Sequence, residues 1–270
     1  MSKTVVVTLT DSKYYQRAKR TIIDTRTRGL WNGDLVLITI DFDPSSNFLD
    51  YYQIINKKFE HIDISHIIQQ YDKFPLKTIQ DNRHILKLAQ WNKFYVFDEF
   101  FSQWDKVIFL DAGLRVFDSI KYLLDLDCDG KLLAPDDAAT DDSLKRFHLM
   151  LEMTANPSVS KKLLEEYGEE ILNKRYFLNC IWMYDTKLLK ICNKDNLIIE
   201  MNKYPICRTN EMTIMNLLFT MKHKVWKPFP EFVSNNKILF AWTENDRYRN
   251  KTWRNFCFIK YPFSINFDCD

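Results

Sequence analysis

The chain has 270 residues, 46% hydrophobic and 27% charged, enough apolar material for a large folded core and too much for a disordered chain. Lys and Arg number 38 against 36 Asp and Glu, so the formal net charge of +2 excludes polyanion binding by bulk electrostatics, and no nucleic-acid partner is expected. The six cysteines, Cys128, Cys180, Cys192, Cys207, Cys257 and Cys269, lie far apart and lack both zinc-site spacing and disulfide density; they read as reduced core thiols.

Thr4 to Leu9 alternates β-branched and apolar residues, which predicts a buried first strand, and Thr10-Asp11-Ser12 then opens a ligand-facing loop. Because this strand begins at once, no signal-peptide core is expected; no apolar run reaches the roughly 18 residues of a membrane span, and a soluble protein of a reducing, cytoplasmic compartment is expected. Tyr14 to Thr27 reads as a helix, Leu35 to Ile40 as a second strand, Phe48 to Lys58 as a helix and Phe59 to Ile64 as a third strand. That β-α-β-α-β order is the grammar of a right-handed, doubly wound sheet.

Lys87 to Phe101 carries Leu88, Trp91, Phe94, Tyr95 and Phe97 at helical spacing, with Lys93 among them. It feeds Val107 to Leu110, a short unbroken apolar run that predicts a central strand buried on both faces of a mostly parallel sheet. Asp111 follows, then Gly113, which lets the backbone approach a ligand. A carboxylate at the carboxyl end of such a strand is either a ligand-facing group or a turn residue and helix cap. Ile120 to Leu126 reads as a short turn of helix, and Lys131 to Asp137 as a further strand ending in acids. The acidic run from Asp136 to Asp142 is a solvated loop or a second lip of the same site.

Ser143 to Met153 and Ser158 to Lys174 read as surface helices parted by Asn156-Pro157. Tyr176 to Tyr184 is a predicted strand with one polar residue, Asn179, whose amide needs partners if buried. Leu188 to Lys203 reads as helix plus turn, and Asn210 caps an amphipathic helix running to Phe219. From Lys224 onward aromatic and basic residues interleave: Trp226, Trp242, Arg247, Tyr248, Arg249, Trp253, Arg254 and Lys260. Such a segment stacks on sugars or bases and pins phosphates, or forms an ordinary surface over buried tryptophans. Residues 1–230 are expected to form the main domain, with 231–270 packing on it.

The five glycines include no G-x-G-x-x-G after the first strand, which disfavours a nicotinamide or flavin enzyme, and the P-loop pattern of a nucleotide triphosphatase is absent. Thr10-Asp11-Ser12-Lys13 is not the glycine- and basic-rich loop that a nucleotidyltransferase would use for a triphosphate.

Five segments in order resemble the family 8 glycosyltransferases, the glycogenin and galactosyltransferase-like enzymes of the GT-A fold: Val7 to Tyr15, Val107 to Phe117, Leu133 to Asp136, Leu178 to Cys180 and Glu211 to Asn216. The resemblance implies a Rossmann-like, doubly wound mixed α/β sheet flanked by helices. It also implies transfer of a hexose from a UDP-sugar to an acceptor hydroxyl, on a protein or a glycan, with retained configuration. Thr8, Asp11 and Tyr15 would meet the nucleoside; Lys93, Asp111, Gly113 and Lys260 would meet the rest of the donor. Glu211 would sit near the anomeric carbon, with Asn179 and Asp136 on sugar hydroxyls; the bland reading of Glu211 is a first-turn acid stabilising its helix.

Departures from the family are equally visible. The family's Asp-x-Asp, which holds a divalent metal (Mn²⁺ or Mg²⁺), is here Asp111-Ala112-Gly113, leaving Asp111 as the one metal-ligand candidate of that pair. No His matches the family's late His ligand. A basic substitute for the missing charge is therefore expected from Lys260 with one of Arg247, Arg249 or Arg254. The rival reading from another functional class is a catalytically lapsed sugar-nucleotide or glycan binding module.

Overall fold

In a computed structural model, which describes residues 3–73, 88–137, 145–242 and 251–260, the strand β1 (Thr4–Asp11) runs through the middle of the fold. Its neighbours are β2 (Asp34–Ile40) on one side and β4 (Lys106–Leu110) on the other, both parallel to it. Val5, Val7 and Leu9 face one hydrophobic cluster and Val6 faces the other, so the strand is apolar on both pleats. The full sheet has seven strands in the order β3-β2-β1-β4-β7-β6-β8. Here β3 is Ile54–Phe59, β6 is Leu132–Ala134, β7 is Ile181–Asp185 and β8 is Trp226–Pro228. Because β7 runs antiparallel to both β4 and β6, the sheet is mixed.

The α-helices among the described residues are α1 (Tyr15–Thr27), α2 (Ser46–Tyr51), α3 (Ser65–Lys73), α4 (Lys121–Leu124), α5 (Pro157–Tyr167), α6 (Lys194–Lys203) and α7 (Glu211–Asn216). Through Ala18 and Ile22, α1 covers one face of the sheet. The other face is covered by a 3-10 segment, Leu88–Phe97, whose Trp91, Phe94 and Phe97 are fully buried. Phe109 of β4 stacks on Trp182 of β7 with ring centroids 3.8 Å apart. A second sheet, β5-β11-β10-β9, comprises β5 (Leu114–Val116), β9 (Phe232–Val233), β10 (Lys237–Trp242) and β11 (Phe256–Lys260). Pairing of β11 with β5 puts Lys260 opposite Leu114.

Several local expectations are corrected. The third strand lies at Ile54–Phe59 instead of Phe59 to Ile64, because Gln53 turns at φ 51° and ends the helix, leaving the following Ile54-Ile55-Asn56-Lys57-Lys58 to pair at the sheet edge. Edge strands tolerate such lysines, since one side meets solvent. The stretch read as one helix over Lys87 to Phe101 is 3-10 at Leu88–Phe97 and Glu99–Gln103, with Lys87 outside the described residues. Of the helix expected from Ser143 to Met153, a short 3-10 turn at Phe147–Met150 forms, with residues 143 and 144 outside the described set. Gly168, at φ 80°, stops α5 before the predicted end. Regular strand in Tyr176 to Tyr184 starts only at Ile181.

Candidate active site

The sheet reverses its winding between β1 and β4, and the carboxyl ends of these two parallel strands deliver Asp11 and Asp111 to one side. Such a switch point is where open α/β sheets bind ligands. A cleft of about 390 Å³ lies there, lined by Asp11, Lys93, Asp111, Asn179, Glu211 and Lys260 together with Thr10, Tyr14, Arg17, Gln90, Asn210 and Trp242.

Lys93 is the hub. Its side chain is 4% exposed, and its ammonium lies 3.1 Å from Glu211 Oε1 and 3.5 Å from Asp111 Oδ1 and donates to the Asn179 carbonyl at 3.2 Å. Three acceptors match its three hydrogens. The Asn179 side-chain amide donates to the same Glu211 Oε1 at 2.7 Å, which gives the buried amide its partner. Asn216 positions this stretch: its amide donates to the Phe177 carbonyl at 3.1 Å and its Oδ1 accepts from the Phe177 N–H at 2.9 Å.

Burial pushes the Glu211 carboxyl above the usual carboxylate range, against the opposing pull of Lys93 and Asn179. Burial also opposes charge on Asp111, but Lys260 and then Lys93 outweigh it and hold that carboxyl low. For Lys93 burial acts to lower the ammonium, and Asp111 and Glu211 together leave it raised. The second oxygen of Glu211, Oε2, is buried and has no hydrogen-bond partner among the described residues. A buried carboxylate oxygen without a donor is costly, and a ligand hydroxyl entering the cleft would satisfy it.

Asn210 does not cap its helix by a side-chain bond. It sits at φ 56° instead, and its amide donates to Gln90 Oε1 at 2.7 Å, while its own Oδ1 is buried and without a partner among the described residues. Positive φ at a non-glycine residue beside a cleft is the kind of strain found at ligand sites. The helix that follows is α only to Asn216 and then π over Leu217–Lys222.

Other sequence candidates fall outside this lining. Thr8 is 1% exposed and lies one pleat repeat deeper in β1 than Thr10, the residue of that face that reaches the cleft. Tyr15 packs against Phe42 and Phe48, whereas Tyr14 lines the cleft, its N–H donating to Asp11 Oδ1 at 2.8 Å. Asp136 pairs with Arg175 at 2.8 Å and is not among the residues that line the cleft. Gly113, at φ 86°, shapes the turn behind Asp111 and donates its N–H to Thr21 Oγ1 at 3.0 Å. Arg254 lies over the Trp253 ring, away from the cleft; Arg247, Arg249 and most of the run from Asp136 to Asp142 lie outside the described residues. Arg17 escaped the sequence reading, although Asp11, Tyr14 and Arg17 follow at three-residue steps that a helical start brings to one side.

The donor set around Asp111 does not suit a divalent cation. Its nearest charged neighbours are two ammonium nitrogens, Lys260 Nζ at 2.5 Å and Lys93 Nζ at 3.5 Å, and among the described residues no three His, Cys, Asp or Glu side chains gather as a metal site. Among the described residues, too, no helix is long and apolar enough to cross a membrane.

The profile described as Glycosyl transferase family 8 matches residues 33–253. No curated protein sequence matches the chain. Among solved structures, an active-site mutant of LgtC is similar at 15% identity and TM-score 0.60, covering 95% of this chain and 86% of that one. The galactosyltransferase LgtC in complex with donor and acceptor sugar analogues is similar at 15% identity and TM-score 0.58, with the same coverage. Core-mannan synthase A from Aspergillus fumigatus, in a form with Mn and GDP, is similar at 10% identity and TM-score 0.55, covering 85% of this chain and 73% of that one. Because the family match spans most of the chain and the fold likeness covers 95% of it, this chain belongs to glycosyl transferase family 8 and has the GT-A glycosyltransferase fold.

Proposed function

We propose that the protein transfers a hexose from a UDP-sugar to an acceptor hydroxyl, on a protein or a glycan, with retention of configuration. The observation that carries this reading is Glu211: a buried carboxylate at the switch-point cleft, oriented by Lys93 and Asn179 through one oxygen, with the other lacking a hydrogen-bond partner among the described residues.

In this reaction the bond between the sugar C1 and the diphosphate oxygen breaks, and its electron pair stays on that oxygen. The acceptor oxygen bonds to C1 from the same face, and its proton passes to the departing diphosphate. As C1 gains positive character, the Glu211 carboxylate stabilises it from a site with little water to reorganise. Asn179 holds that carboxylate in place, and the Lys93 ammonium opposes the effect of burial on its charge. Asn210 and Gln90 stand at the same wall as acceptors for sugar hydroxyls.

Incubation with a panel of UDP- and GDP-sugars, following release of nucleoside diphosphate and of free or transferred sugar, tests the reading. Release from one donor, abolished in Glu211→Ala, is the expected result. A second reading, a binding module without turnover, draws on Gly113, which replaces an acid of the family pattern. Donor binding without release from any donor would establish it.

A further inference from the structure

Lys260 comes from the far end of the described chain, yet it is built into the cleft. The β5–β11 pairing sets it opposite Leu114, the residue after Gly113, and its ammonium donates to Asp111 Oδ2 at 2.5 Å and to the Ala112 carbonyl at 2.8 Å. A carboxylate and a backbone carbonyl are the oxygen ligands that would hold a hard cation. A Cβ placed on Gly113 would lie 3.6 and 3.7 Å from side-chain carbons of Arg17 and 3.9 Å from Lys260 Nζ, so a residue at 113 would project among basic side chains. Two of the three ammonium hydrogens are used, and among the described residues the third has no acceptor.

We infer that Lys260, held by Asp111 and the Ala112 carbonyl, is a resident cation that takes the place of a divalent metal at the donor diphosphate. This rests on the donor reading above. The diphosphate gains one negative charge as C1 departs, and Lys260, on the Asp111 carboxylate, supplies one fixed positive charge with a hydrogen to donate. Lys93 adds a second on the other oxygen of Asp111. Asp111 thus serves as a positioning residue for two ammonium groups, one beside each oxygen, whose charges oppose a Mn²⁺ ion there. A lysine charge needs no recruitment from solution, so donor binding is independent of metal.

Two measurements decide the matter. First, Mn²⁺ alone is titrated into the protein and free ion is followed by electron paramagnetic resonance. The expected result is no saturable binding by the unaltered chain; binding that disappears in Asp111→Asn would overturn the inference and leave the donor reading intact. Second, UDP, with GDP as comparison, is titrated calorimetrically in a chelator and again in Mn²⁺. Equal affinity in both conditions is expected, with Lys260→Met weakening it about ten- to a hundredfold, the loss of one charge-assisted hydrogen bond, and Lys260→Arg restoring most of it. Affinity that requires Mn²⁺, or is unmoved in a folded Lys260→Met, overturns the inference. Absence of binding by either nucleotide in both conditions overturns the donor reading and the inference with it.

Discussion

Lys93 and Glu211 form an ion pair 3.1 Å apart in which both side chains are almost wholly removed from water, at 4% and 2% exposure. Charges in such a place are costly singly and tolerable together. Lys93→Met therefore strands Glu211 and exposes Asp111 to its own desolvation. A stability loss of about 3–5 kcal/mol is expected by urea unfolding. Combined with Glu211→Gln, the loss should be smaller than the sum of the two single changes, because the uncompensated carboxylate is gone.

Glu211→Gln alone separates chemistry from packing. The shape is kept, the buried charge is removed, and Lys93 keeps Asp111 and the Asn179 carbonyl. Stability should fall less than in Lys93→Met, because Lys93 keeps one carboxylate partner, whereas turnover of the donor should fall about a hundred- to a thousandfold, as when a preorganised charge at a transition state is removed. A melting curve and a saturating rate measurement on the same preparation check both halves.

Asn216 grips the Phe177 backbone with both ends of its amide. Asn216→Leu leaves a buried N–H and a buried carbonyl without partners, each worth about 1–3 kcal/mol, and should destabilise by about 2–6 kcal/mol. Since Asn179 lies two residues beyond Phe177, donor affinity should drop as well. Chemical unfolding and nucleotide titration of the variant read the two effects.

Alkaline pH should unfold the protein cooperatively. Burial pushes the thiols of Cys128, Cys180, Cys192 and Cys257 up to about 12, from an ordinary value of 9.0. A raised folded-state value means the unfolded chain loses these protons first. Their contribution is complete below pH 9 and is lost as pH rises toward 12. Stability in urea should therefore decline from pH 9 upward, and thiol reagents should react with the native protein at pH 8 far more slowly than with the unfolded one.

The central architecture was legible because it is written in local composition. Thr4 to Leu9, Leu35 to Ile40 and Val107 to Leu110 are apolar on both pleats, which only a strand covered on two faces requires. Asp111 and Asn179 stood out as polar residues in or at the end of apolar stretches, whereas Lys93 and Glu211 were marked by the family resemblance. Tertiary structure decided what local pattern leaves degenerate. A step of two along β1 separates Thr8 in the core from Thr10 at the cleft, and one step of helix separates Tyr15 among phenylalanines from Tyr14 beside Asp11. The edge position of β3 made its lysines admissible, and the antiparallel entry of β7 followed from its place between β4 and β6. Above all, Lys260 meets Asp111 across 149 positions because β11 pairs with β5. Pairing at that distance depends on how the chain closes, and neither the period nor the composition of either segment contains it.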